Sequence, residues 1–187
     1  MEKQPIKTRN WAKEGFFCAG LAILAILADR LVKFWATEAL RPSAGSPRPV
    51  VDLIPGIFRF LYVENRGASF GIFENQRVPL IAVSLAVSIY IVYRLFFAKK
   101  QLPLWPKLSL AFVLGGAIGN LIDRALYGYV VDMLDFYLIR FAVFNVADSC
   151  VVGGVIALGV WLLFLEGREN KGAEEPLSKE QSSGENP

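Results

Sequence analysis

Apolar residues along the chain gather into four long runs, parted by polar or Pro/Gly-rich stretches, with neither the period of a half-buried strand nor that of a surface helix. The first run, apolar from Gly15 to Ala28, continues through Asp29, Arg30 and Lys33 to Phe34 and Trp35. Read as a helix from Gly15 to Ala36 it spans about 33 Å, enough to cross hydrocarbon. No small-x-small cleavage site ends the run, so it reads as a span rather than a removable leader. A second span is expected over Pro79–Ala98, with proline at the helix start and Arg94 snorkelling at the far end. The third is expected over Leu104–Ile122, with Trp105 and Lys107 as interfacial anchors, and the fourth over Phe141–Leu165. Between the first two, Arg41–Pro49 is a Pro/Ser/Gly linker. Val50–Val63, β-branched and aromatic around the turn signal Pro55-Gly56, reads as two short strands of a hairpin. Asn65–Phe73 reads as a turn leading into a short amphipathic helix or loop. The pattern as a whole predicts an α-helical integral membrane protein, a four-transmembrane-helix bundle with a small external β-hairpin or cradle. Its membrane domain covers 15–166 and includes a long loop over 37–78. A basic segment over 1–14 precedes it, and a polar tail over 167–187 reads as disordered.

Composition agrees. Of 187 residues 54% are hydrophobic and only 20% charged, and the mean hydropathy is +0.41, which places the chain in a bilayer. The loop between the second and third spans carries Arg94, Lys99, Lys100 and Lys107 and no acid, so it is expected on the cytoplasmic side. The basic amino terminus agrees, and an even number of spans returns the carboxyl terminus to that side. The 37–78 and 123–140 loops are then external.

The chain has no histidine, which removes Ser-His and Cys-His nucleophiles and most catalytic zinc sites. Acid or base chemistry falls to carboxylates. Cys18 and Cys150 lie in apolar runs, where a buried thiol is the expected state; no disulfide, metal or cofactor is expected. The net charge of +3 forms no basic stripe with interleaved aromatics, so no nucleic-acid partner is expected either.

Candidate chemistry concentrates in Gly115–Asp148, where Asp123, Asp132, Asp135 and Asp148 stand among Asn120 and Asn145. Ionisable groups at membrane depth are functional candidates by default. The predicted topology also puts Asp29 and Lys33, Asn120, Asp123 and Arg124, and Asn145 and Asp148 near one level. This favours a single site at the outer surface. Helical spacing sets Asn145 and Asp148 on one face of the fourth span, and Gly116, Asn120 and Asp123 or Arg124 on one face of the third. Gly115, Gly116, Gly119, Gly153 and Gly154 would let those two helices approach, although glycine packing alone is common in membranes. Asp132 taken alone reads as a solvated loop acid. Asp148, eight residues into the predicted span, needs a partner, and a second carboxyl sharing its proton is one solution. Two such carboxyls act as an acid and a base at once. Asp132 and Asp148 are read as that catalytic pair. Asp29 and Lys33, four residues apart, most simply form an ion pair. Arg124 is free to pair with Asp123 or another site acid, or to offer its fork to a lipid ester or peptide carbonyl. Asn65 needs no role beyond its turn.

These residues carry a resemblance. D-x-x-x-K at Asp29 and Lys33, N-x-G-A-x-F at Asn65–Phe70, G-G-x-x-G-N-x-x-D-R at Gly115–Arg124, V-V-D at Val130–Asp132 and F-N-x-A-D-S at Phe144–Ser149 occur in order. In these motifs the chain resembles lipoprotein signal peptidase, the signal peptidase II family, over roughly residues 15–165. The resemblance implies an aspartic endopeptidase of the bacterial inner membrane that cuts diacylglyceryl prolipoproteins before the lipidated cysteine, with Asp132 and Asp148 catalytic. It implies that Asn65, Asn120, Arg124 and Asn145 bind substrate, that Asp29, Lys33, Gly116 and Asp123 support the site, and that the 50–63 hairpin is a cradle for the substrate. Membrane lipid is the other expected partner, and a monomer is expected. Departures are Met133 where the family often has phenylalanine, and Arg30 where glutamine is usual. Two other readings stay open: a small transporter or proton-relay bundle using Asp148 and Asp29, and a lipid-binding scaffold without chemistry.

Overall fold

The computed structural model describes residues 11–67, 76–99 and 102–165. Four of its helices are long and apolar enough to cross a membrane: α1 (Trp11–Leu40), α2 (Arg77–Phe96), α3 (Leu104–Leu126) and α4 (Val146–Val160), the last extended by a π-helical turn to Leu165. The expected basic segment survives here only from Trp11 onward, and most of it, like the expected tail, lies outside the described residues.

The bundle is packed for lipid. Its interior mixes small side chains, such as Cys18, Ala22 and Ala111, with Ile91, Leu95 and Leu114, while Phe16, Leu24, Val78 and Leu163 point outward, each more than three-fifths exposed. With no water to expel between helices, close backbone approach holds them together. α3 lies at the centre and contacts the other three. A Cβ on Gly115 would come 2.7 Å from Ala25 Cβ on α1, and one on Gly154 would come 2.7 Å from Ser109 O on α3. Gly153 differs from the expectation. Nothing lies within 4 Å of its would-be Cβ, so it faces outward. At the end of α3 far from the sheet, Lys107, expected as an interfacial anchor, is fully buried against its neighbours. It pairs with Glu14 at 3.3 Å and lies 4.6 Å from the Trp11 ring centroid.

The β element is a three-stranded antiparallel sheet rather than a hairpin alone. β1 (Val50–Ile54) pairs with β2 (Phe58–Asn65), and β2 pairs with β3 (Val130–Asp135) on its other edge. The third strand follows from how α3 ends. Arg77 donates to the terminal carbonyls of Arg124 and Ala125 at 2.7 and 2.8 Å, and Gly128, at φ 81°, takes the left-handed turn that a side chain would oppose. The chain re-enters β structure two residues later. Side chains alternate along β3, so Val131 and Met133 pack with Ala36, Leu40 and Tyr62 while Asp132 takes the other face. Burying Met133 completely contributes roughly 2 kcal/mol to seating the sheet on α1.

The fourth span starts at Val146, five residues later than expected. Phe144 exchanges backbone hydrogen bonds with Leu134 at 2.8 and 3.0 Å, so this apolar stretch meets β3 instead of entering the helix. Asp148 is therefore in the first turn of α4, not eight residues deep.

Candidate active site

The start of α4 organises the site. Asn145 is its N-cap: Asn145 Oδ1 accepts from Asp148 N at 2.8 Å, and Asp148 Oδ2 accepts from Asn145 N at 3.3 Å. This reciprocal box satisfies two amide hydrogens that otherwise lack partners, and such caps are typically worth about 1 kcal/mol. A third comes from another helix, since Ala147 N donates to Asp29 Oδ1 at 3.0 Å. Gly116 and Gly119 make this approach possible. A Cβ on Gly116 would run into the Ala147 carbonyl oxygen, and one on Gly119 would stand 2.8 Å from Asp29 Oδ2.

Three amides then join the two candidate carboxylates. Asn145 Nδ2 donates to Asp132 Oδ1 at 2.6 Å and lies 3.2 Å from Asn120 Oδ1. Asn120 Nδ2 donates to Asp148 Oδ1 at 2.7 Å, and Asn65 Nδ2 reaches Asp132 Oδ2 at 2.9 Å from the end of β2. Asp132 and Asp148, from a strand and a helix, thus meet on one residue, Asn145. Among the described residues neither carboxylate has an ion pair. Asp132 is 1% exposed. Burial, and then the charge of Asp148 beside it, push its carboxyl up to about 7 against the hydrogen bonds from Asn65 and Asn145.

The second pair of acids is held differently. Lys33 lies 2.9 Å from Asp29 and 2.8 Å from Asp123, and Arg30 lies 3.0 Å from Asp29 and 2.5 Å from Asp123. The expected Asp29–Lys33 pair is the centre of a four-charge cluster, two negative and two positive. Asp123 also accepts from Val131 N at 3.3 Å, tying α3 to β3. Lys33 Nζ donates to Asn120 Oδ1 at 3.0 Å, so the cluster fixes the amide that holds Asp148. With its oxygen engaged by Lys33, Asn120 must turn its NH₂ toward Asp148.

Arg124 takes the carbonyl option left open by the sequence, donating to Gly67 O at 3.0 Å, while Asp123 goes to Arg30 and Lys33. Asp135 pairs with Arg59 across the sheet at 2.7 Å and takes no part. Arg30 was not among the expected site residues. One step along α1 from Asp29, it offers no spacing signal, and its long side chain reaches the cluster by also donating to Gly119 O at 3.2 Å. Of the turn and amphipathic helix or loop expected over Asn65–Phe73, the part from 68 onward lies outside the described residues.

A family profile described as Signal peptidase (SPase) II matches residues 21–164. The lipoprotein signal peptidase of Trichormus variabilis (strain ATCC 29413 / PCC 7937) is 43% identical over 137 residues, covering 73% of this chain and 83% of its own. That of Clostridium tetani (strain Massachusetts / E88) is 38% identical over 154 residues, covering 81% and 95%. Among solved structures, a bacterial membrane enzyme determined in meso at 2.3 Å resolution superposes with a TM-score of 0.69. It is 27% identical, over 83% of this chain and 91% of that one. A second, at 1.9 Å, gives 0.67 at 26% identity over 80% and 94%.

Proposed function

The chain belongs to the signal peptidase II family, proteases that remove signal peptides from prolipoproteins at the bacterial inner membrane, and from that premise we propose that Asp132 and Asp148 are its catalytic pair. One observation carries the assignment: a single residue, Asn145, contacts both carboxylates, and among the described residues neither has a cation within ion-pair distance. A pair held only by amides keeps one proton between its members. Asp132, the more buried and pushed up to about 7, carries that proton. Asp148, at the amino-terminal end of α4, is the ionised partner.

Asp148 takes a proton from water as the water oxygen attacks the scissile carbonyl carbon, and Asp132 donates its proton to the developing oxyanion. Collapse of the tetrahedral adduct returns the hydroxyl proton to Asp132 as the carbonyl re-forms, breaks the C–N bond and passes the proton on Asp148 to the leaving amine. Asn65 and Asn145 hold Asp132, and Asn120 holds Asp148. Arg124 positions Gly67 and the turn that carries Asn65. Asp29, Lys33, Asp123 and Gly116 support the site from behind.

The scissile bond precedes a diacylglyceryl cysteine, whose acyl chains remain in the leaflet while the peptide reaches the pair. The charge of the loop from Arg94 to Lys107 supports a cytoplasmic position for that loop and both termini, with the site at the outer leaflet. A relay through Asp29 has little support, because that carboxylate is fixed by Lys33, Arg30 and Ala147 N.

The test is cleavage of a diacylglyceryl prolipoprotein by purified wild type and the Asp132→Asn and Asp148→Asn variants. Each variant is expected to lose at least about 10³-fold in rate while still binding substrate. Turnover near the wild-type rate in either one removes the assignment.

A further inference from the structure

The linker Arg41–Pro49 matched no motif, yet it brings two arginines against the sheet. Leu40 ends α1 in the core beside Tyr62, both nearly fully buried, and Arg41 emerges directly above them. Arg41, Arg48 and Arg66 surround a pocket of about 460 Å³ that also takes in Tyr62 and Glu64. Arg41 and Arg66 lie 3.4 and 3.7 Å from Glu64, and Tyr62 Oη donates to the same carboxylate at 3.3 Å. One acid thus faces three guanidinium groups, an excess of two positive charges. Arg48 has no ion pair among the described residues. Arg41 and Arg66 are 54% and 61% exposed, so their contacts to Glu64 are weak and their forks remain open to a ligand.

Depth identifies the ligand. Phe34 and Trp35 near the end of α1 are 67% and 42% exposed, with Trp35 edge-on to Phe60 of β2 at 5.4 Å, aromatic residues of the kind that mark a membrane interface. Arg41 follows Trp35 by six residues, about 9 Å at the helical rise, which keeps it close to the headgroup level at which aromatic belts sit. We infer that this pocket holds the phosphate of an anionic phospholipid headgroup from the leaflet the dyad faces. Guanidinium forks match phosphate oxygens bidentately, and the double excess of charge favours a headgroup with no cation of its own.

The pocket wall runs into the dyad. Glu64 and Arg66 flank Asn65, which donates to Asp132, and Gly67 donates to Asn65 Oδ1 at 2.9 Å while accepting from Arg124. A headgroup on Arg66 and Arg41 fixes this turn and the amide it delivers, so anionic lipid promotes cleavage. That consequence rests on the dyad assignment; the lipid site does not.

The test uses the full chain in phosphatidylcholine vesicles with and without phosphatidylglycerol. It reads lipid retained on the extracted protein by native mass spectrometry, and cleavage of a diacylglyceryl prolipoprotein. Phosphatidylglycerol is expected to be retained over phosphatidylcholine and to raise cleavage about fivefold. Arg48→Gln is expected to lower retention about fivefold and flatten the cleavage response, with the rate in pure phosphatidylcholine unchanged. Arg48→Lys, which keeps the charge and loses the fork, falls between. Asp148→Asn retains phosphatidylglycerol as wild type does, so failure of the dyad and failure of the lipid site read out separately. Equal retention of the two lipids, or wild-type retention by Arg48→Gln, overturns the inference. So does inorganic phosphate that reproduces the rise in phosphatidylcholine vesicles, since a free anion is then the ligand.

Discussion

Two pairs of aspartates stand within one network, and their surroundings divide them. Asp29 and Asp123 each touch both Lys33 and Arg30, and each accepts a backbone amide from a neighbouring element. Asp132 and Asp148 receive side-chain amides and one backbone N–H, but no cation among the described residues. The first pair is matched by two cations and ties α1, α3, α4 and β3 together. The second is left to share a proton. Chemistry in this membrane site follows from where cations are withheld, and Asn120 and Asn145 separate the two regimes.

Substitutions should split along that line. The largest effect on rate is expected from the second pair, the Asn variants above, which lose cleavage and keep the fold. The largest effect on stability is expected from the first. Lys33→Met leaves two buried carboxylates with only Arg30 and frees the oxygen of Asn120, so thermal unfolding in detergent should report a loss of about 3–5 kcal/mol, with cleavage lost as well. A Lys33→Met variant as stable as wild type would dissolve the distinction. Gly116→Ala pushes the Ala147 carbonyl and tilts the start of α4. It should cost about 1–3 kcal/mol and lower kcat more than it raises KM, because Asp148 and Asn145 move with the start of α4 while Asp132 stays on β3. Smallest is Arg30→Gln. An amide can still donate to Gly119 O or Asp29, and Lys33 alone still bridges both acids. The loss should be about 1 kcal/mol, with cleavage retained.

The pairs also differ in pH response. The folded-state pKa of Asp132 lies above its ordinary 3.8, so the native protein holds a proton that the unfolded chain releases. Its contribution to stability is complete below about pH 4, is lost as pH rises to about 7, and is level beyond. Unfolding of wild type against Asp132→Asn across that window should show a slope in the first and a smaller one in the second. Cleavage should fall above about pH 7 as the shared proton leaves.

Much of this was legible because lipid imposes few options. Long apolar runs gave the four spans, and polar residues inside them stood out as a site. The third strand was less visible. Val130–Asp135 holds two acids in six residues and pairs only with a distant segment, so nothing local marks it as sheet beyond Tyr129–Val131. The start of α4 was misread because Phe141–Phe144 is apolar and continuous with the helix. The signal was present in Asn145-x-x-Asp148, an N-cap residue followed by an acid at the third helical position. Arg30 could not be placed by periodicity, because a long side chain leaves the face its Cα defines. Lys107 shows the same limit: its partner, Glu14, lies on another helix.

The shared proton can be observed directly. Infrared difference spectra of the purified chain, taken across pH, should contain one carboxylic acid C=O band that is present at about pH 6, disappears with a midpoint near 7 and is missing from Asp132→Asn. Asp29→Asn and Asp123→Asn, where they fold, should retain it. A wild-type protein with no protonated carboxyl at about pH 6, or with a band that persists in Asp132→Asn, would contradict the assignment of the proton to this pair.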